Sequence, residues 1–264
     1  MRIRNLKFLV VLGIACSAFA QQPAAQGGAG GGRGAGGGRG AGGGGGRGAG
    51  GGRGAAARPV LVMKEEWKQT AAGGEHALVA EDVSNPNLDM KVYGVKTEEV
   101  LVTGTAGDEG NPVHVWTGTC SNACAVTLKD KANFVDLTGL AKIRWVYKVS
   151  GFHQVRPVVK LADGTLLVGD HADDTRADWR LSEFNISEVK WIRLDPDKAQ
   201  TKGDVVAAPD LTKVDEIGFT DLMRGVLSPE GHSSPASSRL DWIEVWAKSV
   251  PRGAAPPKTG GGVQ

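Results

Sequence analysis

Three groups of residues have the types and spacing to do chemistry. The first is Trp242-x-Glu244-x-Trp246. In an extended segment alternate side chains share a face, so Trp242, Glu244 and Trp246 lie together, opposite Asp241, Ile243 and Val245. If Ile243 and Val245 point into a core, two indoles and a carboxylate remain on the surface. That set can stack on the apolar faces of sugar rings while Glu244 accepts hydroxyl hydrogen bonds. The alternative puts both tryptophans in the core, where tryptophan is usually found. Trp116, beside His114 on one face of its own segment, poses the same question.

The second group is the acidic stretch GDHADDTRADW, Gly169 to Trp179. Clustered carboxylates can supply the roughly six to eight oxygens that calcium takes. Asp170, Asp173 and Asp174 are therefore the candidate ligands of a structural Ca2+. The spacing differs from that of an EF-hand loop, and a solvated acidic loop is the competing reading. Trp179, which closes this stretch, can cap the core or touch a ligand. The third group is Cys120 and Cys124 in the segment CSNAC.

Catalytic signatures are missing. The domain contains no G-x-S-x-G, H-E-x-x-H or phosphate-cradling glycine motif. A glycosidase needs two carboxylates at a set separation, and 29 acidic residues in sequence alone nominate no pair. His76, His114, His153, His171 and His232 show no ligand spacing. Catalysis is left open, and the reading leans against it.

How the cysteines are read depends on the first residues. Arg2, Arg4 and Lys7, an apolar run from Phe8 to Ala15, and Ala18-Phe19-Ala20 have the order of a cleavable secretory signal over residues 1–20. The run is shorter than the roughly 20 apolar residues a bilayer core requires. Cys16 offers a second reading, a lipidated bacterial outer-membrane lipoprotein, although Gly13 stands where such signals carry leucine. Cleavage is preferred, and either route gives a secreted or periplasmic protein with no transmembrane segment. Loss of Cys16 leaves Cys120 and Cys124, which in an oxidising compartment most simply form a disulfide. Zinc would need more ligands than this motif offers.

Residues 21–57 collapse to Gly, Ala and Arg, with Arg33, Arg39, Arg47 and Arg53 spaced through glycine. Such a chain cannot build a core, and it reads as a disordered linker with a span of roughly 35 Å. An arginine-glycine nucleic-acid segment is the alternative; the absence of aromatics and the export signal weigh against it. Removing the three signal cations takes the formal charge from +2 to −1, and setting aside the four linker arginines takes it to −5. A mildly acidic domain lacks the basic patch of a nucleic-acid binder, so that partner class drops out.

The elements that must position these residues are strands. Ile143 to Val149 alternates apolar residues with Arg144, Val146 and Lys148, and Val155 to Leu161 resumes the alternation after Ser150-Gly151. Asp163-Gly164 then separates it from Thr165 to Val168, a hairpin signal. Three consecutive antiparallel strands are expected here. Further short strands are expected near residues 60–64, 76–80, 90–93, 100–103, 113–117, 125–128, 189–194, 214–219 and 240–246, with no sustained helical spacing. The expected fold is all-β, a two-sheet antiparallel sandwich over residues 58–249, followed by a disordered Pro/Gly tail at 250–264.

The run FVDLTGLAKIRW, the Asp-Gly hairpin, EVKWIRLD, LTKVDEIGF and LDWIEVW resemble the galactose-binding-like jelly-roll sandwiches. These include carbohydrate-binding modules and the domain related to complex I intermediate-associated protein. The resemblance rests on Val135-Asp136-Leu137, Trp191 and Asp241 and covers the C-terminal two thirds of the domain. The chain is also similar to secreted bacterial 3-keto-disaccharide hydrolase-type proteins, without a catalytic motif of theirs. The resemblance implies a jelly-roll topology, a structural calcium of the kind such sandwiches often hold, and a noncatalytic module for a polysaccharide or cell-surface glycan. Trp116, Trp242, Glu244 and Trp246 are its candidate contacts. A secreted carbohydrate-active enzyme, a hydrolase or lyase on a sandwich scaffold, and a structural or adhesive envelope protein are the alternatives.

Overall fold

The computed structural model describes residues 58–71, 74–225 and 236–253 of the 264-residue chain. The expected signal at 1–20, Cys16, the linker at 21–57 and the tail beyond residue 253 lie outside the described residues, as does His232. Among the described residues no helix is long and apolar enough to cross a membrane.

The expected all-β, two-sheet antiparallel jelly-roll sandwich is what the chain forms. The first sheet contains β1 (Val60–Glu65), β2 (His76–Ala77), β4 (Leu101–Thr103), β5 (His114–Trp116), β8 (Lys142–Ser150), β11 (Arg180–Asn185) and most of β15 (Ser237–Pro251). Its order is β11-β8-β15, with β1 and β5 sharing the far edge of β15 and β4 and β2 following β5. The second sheet contains β3 (Leu88–Tyr93), β6 (Cys124–Asp130), β7 (Asn133–Asp136), β9 (Val155–Leu161), β10 (Leu166–Gly169), β12 (Trp191–Asp195), β13 (Gln200–Val206) and β14 (Val214–Asp221). Here the order is β13-β12-β10-β9-β14-β6-β3. Long β15 joins the layers: Ser237 to Trp246 pair with β8, and Lys248 to Pro251 pair with β7. It thus runs two residues beyond the expected boundary at 249.

Period-two alternation explains the core. Along β8, Ile143, Trp145, Tyr147 and Val149 are buried while Lys142, Arg144, Val146 and Lys148 are partly exposed. The buried set meets Val159, Leu167, Trp191, Ile217 and Phe219 of the second sheet in one cluster. Each such side chain contributes roughly 1.5–3 kcal/mol when fully buried. A second apolar group, Tyr93, Ala125, Val158, Leu166, Val168 and Leu194, forms separately. The tip of the β12–β13 hairpin comes up to Gly94, where an added Cβ would lie 2.5 Å from that of Ala199.

One expectation is corrected. The Asp163-Gly164 turn does join β9 to β10, with Gly164 at φ +90. However, β8 does not pair with β9; it lies between β11 and β15 in the other sheet. Ser150 to Gln154 therefore carry the chain between layers. Alternation gives the buried face of each strand but cannot distinguish neighbours within a sheet from partners across the core.

A buried polar cluster also spans the layers. His153 Nδ1 and Asp221 Oδ2 lie 2.6 Å apart, and the Thr117 hydroxyl donates to the same carboxylate oxygen at 2.9 Å. Burial of such groups is tolerated only because each finds a partner.

Candidate functional site

The seven tryptophans divide by location. Trp67, Trp145 and Trp191 sit in the main core, 4%, 0% and 2% exposed. Trp116, Trp179, Trp242 and Trp246 instead gather on the outer face of the first sheet and its covering loop. In β15, Ile243, Val245 and Ala247 are buried, whereas Trp242, Glu244 and Trp246 are partly exposed. This is the outward arrangement of the two readings the sequence leaves open.

Glu244 organises that face. Its carboxylate takes a 3.0 Å hydrogen bond from Arg144 directly opposite on β8, and one of 3.2 Å from the indole N–H of Trp246. Lys64 of β1 stands 3.9 Å away. Glu183 on β11 ties down the other side, 3.2 Å from Arg144 and 3.0 Å from Lys142. The Arg144 guanidinium lies 5.9 Å from the Trp242 ring centre and Lys142 Nζ 5.7 Å from that of Trp246. Fixed by the ion-pair lattice around them, the two indoles sit on a rigid strand two residues apart, the spacing of one pleat repeat.

Trp116 requires a correction as a stacking surface. It is on the expected face, but only 6% exposed; its indole N–H donates to Ser237 Oγ at 2.7 Å, and the Arg239 guanidinium lies 5.5 Å from its ring centre. The residue is a floor beneath Arg239. His114, next to it, is 1% exposed and meets Trp179 edge to face at 4.9 Å.

Trp179 and Asp241 join the site for reasons the sequence conceals. The loop ahead of β11 brings Trp179 across to Gly110, whose carbonyl accepts its N–H at 3.2 Å. The β15–β8 register slips between Leu240 and Trp242, and a bulge of this kind re-aims a side chain. Asp241 thereby leaves the Ile243 and Val245 face. It lines a hollow of about 410 Å³ with Trp179, Pro112, Asp108 and Glu109. Burial, reinforced by the neighbouring Glu66 charge, pushes its carboxyl up to about 6.

The three candidate calcium ligands each have protein partners. Asp173 is used by Trp145 Nε1 at 2.7 Å, His171 at 3.1 Å and Ser182 at 3.1 Å. Asp170 accepts the Lys190 backbone N–H, and Asp174 pairs with Arg176. Among the described residues no three metal-ligating side chains converge. The carboxylates instead fasten the loop to the core and to neighbouring strands. Cys120 and Cys124 stand as free, buried thiols with Sγ atoms 2.6 Å apart. The adjacent Cys120 sulfur and burial raise the Cys124 thiol well above its ordinary range.

The sequence matches no protein-family model and no curated protein. Among solved structures it is similar to a family 11 carbohydrate-binding module from Clostridium thermocellum in complex with a β-1,3-1,4-mixed-linked tetrasaccharide. Identity is 19%, coverage 67% of this chain and 98% of that one, and the TM-score 0.37. It is also similar to the family 11 module of a cellulosomal cellulase of the same organism, at 18% identity, 67% and 97% coverage and a TM-score of 0.38. A Bacteroides ovatus GH16 protein in complex with its product follows at 10% identity, 69% and 99% coverage and a TM-score of 0.29. These scores are low, and the sandwich described above stands on its own strand pairing.

The outer face of the second sheet is chemically different. Glu216 accepts from Tyr93 at 2.8 Å, Thr127 at 2.6 Å and Lys160 at 2.8 Å. Burial would raise its carboxyl, but those three donors outweigh burial and hold it below its ordinary value. Burial, with Glu216 accepting its proton, pushes Tyr93 up to about 12. A hollow of about 690 Å³ lies alongside, lined by Lys91, Lys96, Glu99, Ser121, Asn122 and Asp197 among others. Its aromatic residue, Tyr93, is 5% exposed and already committed, so this hollow offers no aromatic stacking surface.

Proposed function

We propose that this is a noncatalytic glycan-binding protein whose contact surface is the outer face of the first sheet. The observation that carries the reading is the sorting of the tryptophans: three fill the core, Trp116 is buried beneath Arg239, and Trp179, Trp242 and Trp246 lie partly exposed on one outer face with Glu244 and Asp241. Exposed indoles stack on the apolar faces of pyranose rings, and the surrounding carboxylates and cations hydrogen-bond hydroxyls. Trp242, Glu244 and Trp246 are the principal contacts, and Trp179 extends them. The export signal read at residues 1–20 supports a location outside the cytoplasm, where a polysaccharide or cell-surface glycan is the partner.

Titrating the full chain against a polysaccharide panel while assaying released sugars tests this. Binding without turnover supports it, and binding unchanged by Trp242→Ala and Trp246→Ala contradicts it. One observation favours a second reading, a secreted carbohydrate-active enzyme: the elevated carboxyl of Asp241 beside Asp108, Glu109 and Trp179. A general acid poised near neutrality has this character. Sugar release by the wild type that is abolished in Asp241→Asn would establish that reading in place of the first.

A further inference from the structure

Most cations on the outer face of the first sheet are neutralised in place: Arg144 by Glu244 and Glu183, Lys142 by Glu183, and Lys64 by Glu66. Arg239 and Lys148 break this pattern. They stand directly opposite each other on β15 and β8, in a row that continues through Trp116 to Leu101. Like charges directly opposite one another destabilise a sheet. Yet among the described residues neither makes an ion pair or a side-chain hydrogen bond. Arg239 is partly buried, and desolvation holds its guanidinium below the ordinary arginine range, though arginine remains charged in proteins.

An unpaired, partly buried cation pair is costly unless something outside the chain meets it. The surroundings fit such a visitor. Arg239 lines a hollow of about 190 Å³ with Glu75, Thr103, Asn111, His114 and Trp116. Glu75, the carboxylate in the lining, makes no ion pair with Arg239. His114 Nδ1 is 2.7 Å from the Pro112 carbonyl and donates to it, while His114 Nε2 is buried without a partner. Burial, with the Arg239 and Lys148 charges adding to it, brings His114 down to about 4. The ring is therefore neutral at pH 7, and Nε2 is an acceptor waiting for a hydroxyl donor. A hollow of this size falls below the roughly 300–1,000 Å³ of sites that enclose a whole small ligand. It suits one residue of a longer chain. Seven strand positions, roughly 23 Å, separate Arg239 from Trp246, so the rest of such a chain has the tryptophan face to run along.

We propose that Arg239, over the Trp116 floor and beside His114, forms with Lys148 on the neighbouring strand an oxyanion subsite at one end of the tryptophan face. The glycan recognised is then an acidic one, carrying uronate carboxylates or sulfate esters. This inference rests on the glycan-binding reading of the face. A guanidinium fork matches a planar carboxylate in two parallel hydrogen bonds and serves a sulfate oxygen pair equally well.

The test is calorimetric titration of the full chain with polygalacturonate, alginate and a sulfated galactan, each beside its neutral counterpart made by carboxyl reduction or desulfation. The expected result is affinity at least about tenfold higher for one charged polymer than for its neutral partner, weakening as salt rises. Arg239→Gln and Lys148→Gln should each bring that ratio close to one while weaker binding of neutral glycans persists. Whichever pair of polymers shows the difference identifies carboxylate or sulfate. If Arg239→Gln folds poorly, Lys148→Gln and the wild-type comparison of paired polymers decide the matter. Equal affinity for every charged polymer and its neutral partner overturns the subsite, as does a preference that survives both substitutions. Neutral glycans held through Trp242 and Trp246 without acidic preference would sink the subsite alone. No binding to any polymer would sink the glycan reading as well.

Discussion

Trp145 and Trp242 sit one register position apart on adjacent strands yet face opposite ways: one is 0% exposed between the sheets, the other partly exposed on the outer face. Their truncations should separate accordingly. Trp145→Ala leaves a large cavity and strands Asp173 without its indole donor; a loss of about 3–5 kcal/mol is expected in a denaturant melt. Trp242→Ala should leave the unfolding midpoint nearly unchanged. Asp241 gives a pH-dependent prediction at the same scale. Its folded carboxyl titrates near 6, above the ordinary range, so the folded state resists ionising it. Stability is therefore lost as pH rises from about 4 through 6. Asp241→Asn should raise the melting temperature at pH 7 and leave it close to wild type at pH 4. A gain of equal size at both values would contradict the assignment of the strain to this charge.

The strands show what can be read before folding and what cannot. Alternation located β8, β9 and β10 and put Trp242, Glu244 and Trp246 on one face, but it left open which face of β15 is the core. The sheet to which each strand belongs did not follow, because a buried face looks the same from either layer. β7, β11 and β13 escaped notice for lack of an apolar rhythm; in β13, Gln200 to Val205 are all exposed. Asp241 departs from the expected face because a bulge has no marker in local sequence, and the place of Trp179, open in the sequence, depends on the folded loop that brings it to His114. The acidic loop was visible, but whether carboxylates converge on a cation or diverge to separate donors is a matter of tertiary geometry. At the CSNAC loop the thiols lie close enough that oxidation requires little movement, and we expect the protein to carry the bridge in an oxidising compartment. Its intact mass should fall short of the reduced form by two hydrogens, and thiol reagents should not label it without reductant. Full labelling of both cysteines in the native protein recovered from such a compartment would rule the bridge out.

For the whole molecule, the two outer faces play opposite parts. The face of the second sheet spends its polar groups internally, with Glu216 saturated by Tyr93, Thr127 and Lys160. Because the Glu216 carboxyl is held below its ordinary value, its contribution is present at neutral pH and is lost as acidification protonates it in the folded state. Glu216→Gln should therefore destabilise the protein at pH 7 and matter less in acid. The face of the first sheet keeps indoles, a raised carboxyl and two unpaired cations at its surface, which is costly for a fold and useful for recognition. That contrast is the basis for assigning glycan binding to the first sheet. The most direct measurement is the affinity of the full chain for the polysaccharide it binds best, compared with that of the double variant Trp242→Ala/Trp246→Ala. We expect the variant to lose at least about a hundredfold in affinity, roughly tenfold per indole, with its thermal unfolding unchanged. Affinity that survives the double substitution, or a fold that collapses with it, would show that these tryptophans are not the contact surface.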